Sequence, residues 1–142
     1  MGLPPPTVAV NISGRQFAYR DFLHTVGGTL EEDLFDRQYL QFEITASILM
    51  GDMQRNIGSI NRIRGTGFQF ALDEFGTGFS SLSYVRRSPI NELKVDQSFV
   101  REIGMQGKDD SRPEVLAIIG MAHALAMTVV AEGVETGFQA AF

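Results

Sequence analysis

The sequence predicts an α/β chain in which βα units follow one another to build a mainly parallel sheet, curved or barrel-like, with its chemistry at one rim. Three observations predict it. Short apolar strands alternate with helix-compatible stretches along the chain. Inside each strand, one parity carries large apolar residues and the other ends near its C-terminus in a polar or charged group. The terminal polar groups, Asn11, Glu43, Asp73, Lys94 and Glu132, are separated by 32, 30, 21 and 38 residues, close to the roughly 30 residues of a βα unit.

In order, residues 7–13 form the first strand, with Val8, Val10 and Ile12 on the parity expected to pack on helices and Ala9, Asn11 and Ser13 opposite. Residues 21–34 read as a helix that Gly27-Gly28 ends early, because paired glycines are costly in a helix interior. The second strand, 39–45, sets Leu40, Phe42 and Ile44 against Gln41, Glu43 and Thr45. A helix over 54–64 follows, with Ile57, Ile60 and Ile63 on one stripe. The third strand, 67–73, places Phe68, Phe70 and Leu72 opposite Gln69, Ala71 and Asp73 and runs into a glycine-punctuated loop; residues 80–87 then read as a helix. The fourth strand, 90–95, opposes Leu93 and Val95 to Lys94, with Asp96 just beyond. Residues 104–110 are a polar, mobile loop. The clearest helix is 111–126, with Val115, Ile118, Ile119, Ala122 and Leu125 at helical spacing, Asp110 or Ser111 as cap and Pro113 in its first turn. The fifth strand, 127–132, opposes Met127 and Val129 to Thr128, Val130 and Glu132.

With 142 residues, 44% of them hydrophobic, the chain can bury a core of its own. Its 12 basic and 17 acidic residues give a net charge of −5. That disfavours a nucleic-acid polymer or an anionic membrane as partner, so a phosphate ligand would need a metal or a few placed cations. There is no cysteine, which excludes disulfides, thiolate metal sites and a cysteine nucleophile. No stretch reads as a signal peptide or a membrane span, so a soluble, cytoplasmic chain is expected. Residues 1–6 read as a proline-rich arm and 7–142 as the domain. His24 is expected on a helix surface, His123 in helix packing, and Arg86-Arg87 on a solvated face.

Asp73 and Glu74 are consecutive carboxylates, and adjacent carboxylates repel. In a regular strand they point to opposite faces, so they converge only where the strand ends, and a hard divalent cation with oxygen ligands is the usual compensation. A solvated turn after a core strand is the plainer alternative. Each of the five strand-end groups likewise has a plain reading, a residue meeting water or, for Lys94, a snorkelling side chain.

Laid out in order, Val10-Asn11-Ile12-Ser13, Phe42-Glu43-Ile44-Thr45, Asp73-Glu74-Phe75-Gly76-Thr77-Gly78, Leu93-Lys94-Val95-Asp96 and Ala131-Glu132-Gly133-Val134-Glu135-Thr136 resemble the EAL domain family. The resemblance runs from about residue 7 to 139. It implies a bacterial phosphodiesterase that linearises cyclic di-GMP to pGpG on a modified (β/α)₈ barrel, with two Mg²⁺ or Mn²⁺ ions activating water. By the same resemblance Asn11, Glu43, Asp73 and Glu74 are metal ligands, with Asp73 bridging the two ions. Lys94 contacts the nucleophilic water or the phosphate, Asp96 is its neighbour on the metal side, Glu132 is a further site carboxylate and Glu135 a supporting acid. Gly76, Thr77 and Gly78 belong to the loop that couples the site to a dimer interface.

The chain also departs from the family pattern. Glu74 stands where the family usually has Asp, and Ala46 where it has the acid that anchors the loop. By this alignment the sequence holds five strands of a partial TIM-like barrel, numbers three to seven. The namesake Glu-Ala-Leu strand, with a metal ligand and a substrate arginine, is not among them. Open edges then favour a homodimer or higher oligomer. Three functions stay open: metal-dependent hydrolysis of cyclic di-GMP, impaired or lost in the isolated chain; a non-catalytic cyclic di-GMP sensor; and an oligomeric protein-interaction remnant.

Overall fold

A computed structural model describes residues 5–19, 22, 25–26, 28, 36–77, 82–104 and 111–142. The elements run β1 (Val8–Asn11), α1 (Gly14–Ala18), a 3₁₀ turn (Arg37–Tyr39), β2 (Leu40–Thr45), α2 (Ala46–Gly51), α3 (Met53–Arg64), β3 (Gln69–Phe75), α4 (Leu82–Arg87), β4 (Glu92–Val95), α5 (Gln97–Glu102), α6 (Ser111–Ala124), β5 (Thr128–Ala131) and α7 (Gly137–Ala141). The five strands form one sheet in the order β1-β2-β3-β4-β5, and every pairing is parallel. Sequential strands joined by helical crossovers produce this order directly.

The apolar parity of β2, β3 and β4 makes the core. Phe42, Ile44, Phe70, Leu72, Leu93 and Val95 are buried in one cluster with Leu49 of α2, Ile60 and Ile63 of α3, Val85 of α4, Val100 of α5, and Ile118 and Ala122 of α6. Each fully buried side chain of this size contributes about 1.5–3 kcal/mol relative to exposure. Phe42 is the aromatic centre, with ring centroids 5.2 Å from Phe68 and 5.7 Å from Phe70.

β1 departs from the expected packing. Ile12 is buried, but Val8 and Val10 are 51% and 41% exposed, because this strand is paired on one side only and the described residues leave its first half uncovered. His123 is also corrected: it is exposed on α6, one step in sequence past Ala122 and therefore rotated off the buried Val115–Ile118–Ala122 stripe. Arg86 and Arg87 are exposed, as expected. His24, Gly27, Gly78 and most of the expected 21–34 helix and 104–110 loop lie outside the described residues.

Five short elements are additional to the four expected helices: α1, the 3₁₀ turn, α2, α5 and α7. Ser13 and Gln16 form a capping box at α1, and Thr136 and Gln139 form another at α7. Asp36 caps the 3₁₀ turn and Asp52 caps α3 through the Arg55 N–H. In β3 the ladder slips: Leu72 pairs with Leu93 but Phe75 pairs with Val95. Asp73 and Glu74 together therefore face Lys94, which is a β-bulge with one extra residue. Glu74 takes a positive φ of 54°, and the bulge returns Phe75 to the buried side, where it is 5% exposed.

Candidate functional site

The polar parity of the sheet gathers a charged cluster at the C-terminal ends of the strands. Asn11 and Glu43 are register partners across β1 and β2. Thr45 and Asp73 are partners across β2 and β3. Lys94 pairs with Val130 across β4 and β5, and the Glu132 N–H extends that ladder by donating to the Val95 carbonyl at 3.1 Å. Period-two alternation in a parallel sheet thus delivers side chains from successive strands to one face.

Lys94 stands at the centre. Its Nζ lies 2.9 Å from Glu43 Oε1, 2.6 Å from Glu132 Oε1 and 3.9 Å from Asp73 Oδ1. Side-chain exposure is 12% for Lys94, 7% for Glu43, 16% for Asp73 and 34% for Glu132, so the middle of the cluster is nearly dry and its β5 side is open. Burial by itself pulls the lysine pKa down. Hydrogen bonds to Glu132 and Glu43 and the charge of Asp73 outweigh it and hold the ammonium above the ordinary lysine value. A snorkelling lysine would have reached solvent instead.

The structure brings Glu43, Asp73, Lys94 and Glu132 together, with Asn11 beside Glu43 on the exposed edge strand. Glu74 is exposed; its backbone N–H donates to Asp73 Oδ1 at 2.8 Å, which fixes the carboxylate of the preceding residue. Asp96 has a different local task. It is the N-cap of α5, its Oδ1 accepting the Ser98 N–H at 2.8 Å, and the Ser98 hydrogen bonds hold its carboxyl below the usual aspartate range. Glu135 is exposed, and its N–H donates to Gln139 Oε1 at 2.8 Å in the α7 cap. Gly76 and Thr77 form a turn closed by the Thr77 hydroxyl on the Glu74 carbonyl at 2.9 Å.

Two supports escaped the sequence reading. Gly133, with φ +70°, comes so close to Gln97 that a Cβ would sit 2.9 Å from the Gln97 Cβ; this contact seats Glu132 against the start of α5. Gln139 links α7 to α5 by donating to the Val100 carbonyl at 3.1 Å. The Thr-x-x-Gln spacing of Thr136 and Gln139 is a capping signal that could have revealed it.

The available donors are carboxylate and amide oxygens, the chemistry that suits a hard divalent cation. Among the described residues, however, no three acidic or histidine side chains close around one point; the acids are spaced around the Lys94 ammonium. No helix among the described residues is long and apolar enough to cross a membrane.

A parallel α/β sheet with a lysine-centred acidic site at the C-terminal strand ends has the layout of a (β/α)-barrel enzyme face. The model of the EAL domain family matches residues 1–142: this chain belongs to the EAL domain family. It is 39% identical over 135 residues to the cyclic di-GMP phosphodiesterase NbdA of Pseudomonas aeruginosa, covering 95% of this chain and 17% of that protein. It is similar in structure to the PaMucR phosphodiesterase in its c-di-GMP complex, with a TM-score of 0.87 and 34% identity over 94% of this chain and 53% of the other. Klebsiella pneumoniae BlrP1, in a manganese/cy-diGMP complex, aligns with a TM-score of 0.81 and 26% identity over 94% of this chain and 34% of the other. The chain spans 16–19% of the length of the first curated relatives it matches. Its five-stranded sheet therefore corresponds to part of the TIM-barrel-like EAL fold.

Proposed function

We propose that this chain carries the central part of a metal-assisted site for hydrolysis of cyclic di-GMP. The observation that carries this reading is the meeting of Glu43 of β2, Asp73 of β3 and Glu132, just past the end of β5, on the ammonium of Lys94 from β4. Asn11, Glu43 and Asp73, with Glu74 as the second carboxylate of the bulge, are the oxygen donors that would hold Mg²⁺ or Mn²⁺. When bound, such ions supply an activated water and stabilise charge on phosphate oxygens.

The chain's own groups do the rest. Lys94 donates hydrogen bonds to a phosphate oxygen as negative charge builds on it, and Glu132 holds the lysine toward the open side of the cluster. The Glu74 N–H and the bulge keep the Asp73 carboxylate oriented. Water oxygen bonds to phosphorus and one ester bond breaks. The departing oxygen takes a proton to become a hydroxyl, giving linear pGpG. The same reading includes a cytoplasmic site of action and self-association over the exposed valines of β1, the latter measurable by light scattering.

The test is incubation with cyclic di-GMP and Mn²⁺, followed by chromatography for pGpG. Product that disappears in Asp73→Ala supports hydrolysis. Binding of the dinucleotide by calorimetry without product would replace it with a sensor role, and neither signal would leave a protein-interaction role.

A further inference from the structure

The acids at the strand ends point to a nitrogen. Glu43, Asp73 and Glu132 lie 2.9, 3.9 and 2.6 Å from Lys94 Nζ, and among the described residues no three of the acids share a separate ion position. Two of these carboxylates, Glu43 and Asp73, are the donors assigned above to a divalent cation. An ammonium is a compact point charge with three donors on a flexible four-carbon stem, and the Lys94 side chain is only 12% exposed. A divalent cation on Glu43 and Asp73 would meet this like charge at close range, where little water intervenes to screen it.

Resting on the metal-assisted reading, we propose that Lys94 is a resident counter-cation that occupies the carboxylates in the metal-free chain, so that metal loading is an exchange of one cation for another. Asp73, the longest of the three contacts, is surrendered first, and Glu43 follows. Glu132 has the shortest contact and the most exposed side chain of the three. It is positioned to retain the ammonium at the open side once the other two acids turn to the metal. Lys94 thus keeps the acids from repelling one another before metal arrives, at the expense of metal affinity. A lysine standing clear of these carboxylates would leave metal affinity unchanged while no nucleotide is present.

The test is Mn²⁺ titration by calorimetry without nucleotide, with thermal midpoints measured with and without Mn²⁺, on the native chain, Lys94→Met and Lys94→Arg. Exchange requires Lys94→Met to have a lower metal-free midpoint, a larger upward shift on adding Mn²⁺, and Mn²⁺ binding tighter by about tenfold, the equivalent of one surface-to-buried ion-pair contact. Lys94→Arg should stay near the native values. If Lys94→Met is unfolded without metal, recovery of native circular dichroism on adding Mn²⁺ supports the exchange, and no recovery overturns it. Equal or weaker Mn²⁺ binding by a folded Lys94→Met also overturns it while leaving the metal-assisted reading intact. Absence of Mn²⁺ binding in both the native chain and the variant removes both.

Discussion

Lys94 and Glu43 are joined by a 2.9 Å ion pair, although their strands, β4 and β2, are separated in the sheet by β3. The lysine reaches across the small Ala71 row and the bulged Asp73, and the contact is nearly buried at both ends. Removing one partner leaves the other charge with poor access to water.

Lys94→Ala should therefore destabilise the metal-free chain by about 1.5–3 kcal/mol, the range for hydrogen bonds to charged groups, as read by urea unfolding. The lysine pKa is raised on folding. Its contribution is fully present below the unfolded value, about 10.4, and is lost as pH rises through the folded value above that. Between pH 7 and 9 the stability difference between native and Lys94→Ala should be flat on account of this group.

Asp96 should behave oppositely. Its pKa is lowered, so its contribution is present above the unfolded value, about 3.9, and fades as pH falls through the folded value. Asp96→Ala should cost about 1 kcal/mol at neutral pH through the lost cap of α5, and Asp96→Asn little, because the amide oxygen still accepts the Ser98 N–H. A large loss in Asp96→Asn would assign the carboxylate a task beyond capping.

Gly76 and Gly133 should resist substitution. Both have positive φ, +99° and +70°, and added Cβ atoms would sit 2.9 Å from Phe99 Cε2 and Gln97 Cβ respectively. Gly76→Ala and Gly133→Ala should each lower stability by about 1–3 kcal/mol. Gly133→Ala should also lower activity or metal response more than its stability loss explains, because it displaces the adjoining Glu132.

Glu74 sits in the left-handed region at φ 54°, where a residue with a Cβ costs about 1–2 kcal/mol and where aspartate is better tolerated. Glu74→Gly should leave thermal stability equal or raise it, and Glu74→Val should lower it. A stable Glu74→Val would mean that this backbone turn carries no strain.

The strands and their parity were legible because period-two alternation is dense in Phe42-Glu43-Ile44 and Leu93-Lys94-Val95, and because α3 and α6 are long enough to show their stripes. The same parity pointed to Asn11, Glu43, Asp73, Lys94 and Glu132, and the structure draws the last four together. The bulge was hidden, since nothing in Asp73-Glu74-Phe75 states which residue is extra; the sequence reading ended the strand at 73, two residues before it ends. The short helices α1, α2, α5 and α7 span 5 or 6 residues, less than two turns, too little for periodicity to register. Val8 and Val10 looked like core by pattern alone, because alternation reports which face a residue takes and says nothing about whether anything lies over that face.

The slip between Leu72 and Phe75 makes this stretch sensitive to length in a way that composition would not suggest. Deleting Glu74 would remove the extra residue and leave Leu72, Asp73 and Phe75 in plain alternation opposite Leu93, Lys94 and Val95; Phe75 would keep its buried side, while the left-handed turn and the N–H that Glu74 gives to the Asp73 carboxylate would go. Changes of identity at these positions can be graded and partial; a change of count would take out the turn as a whole, like a link dropped from a bracelet.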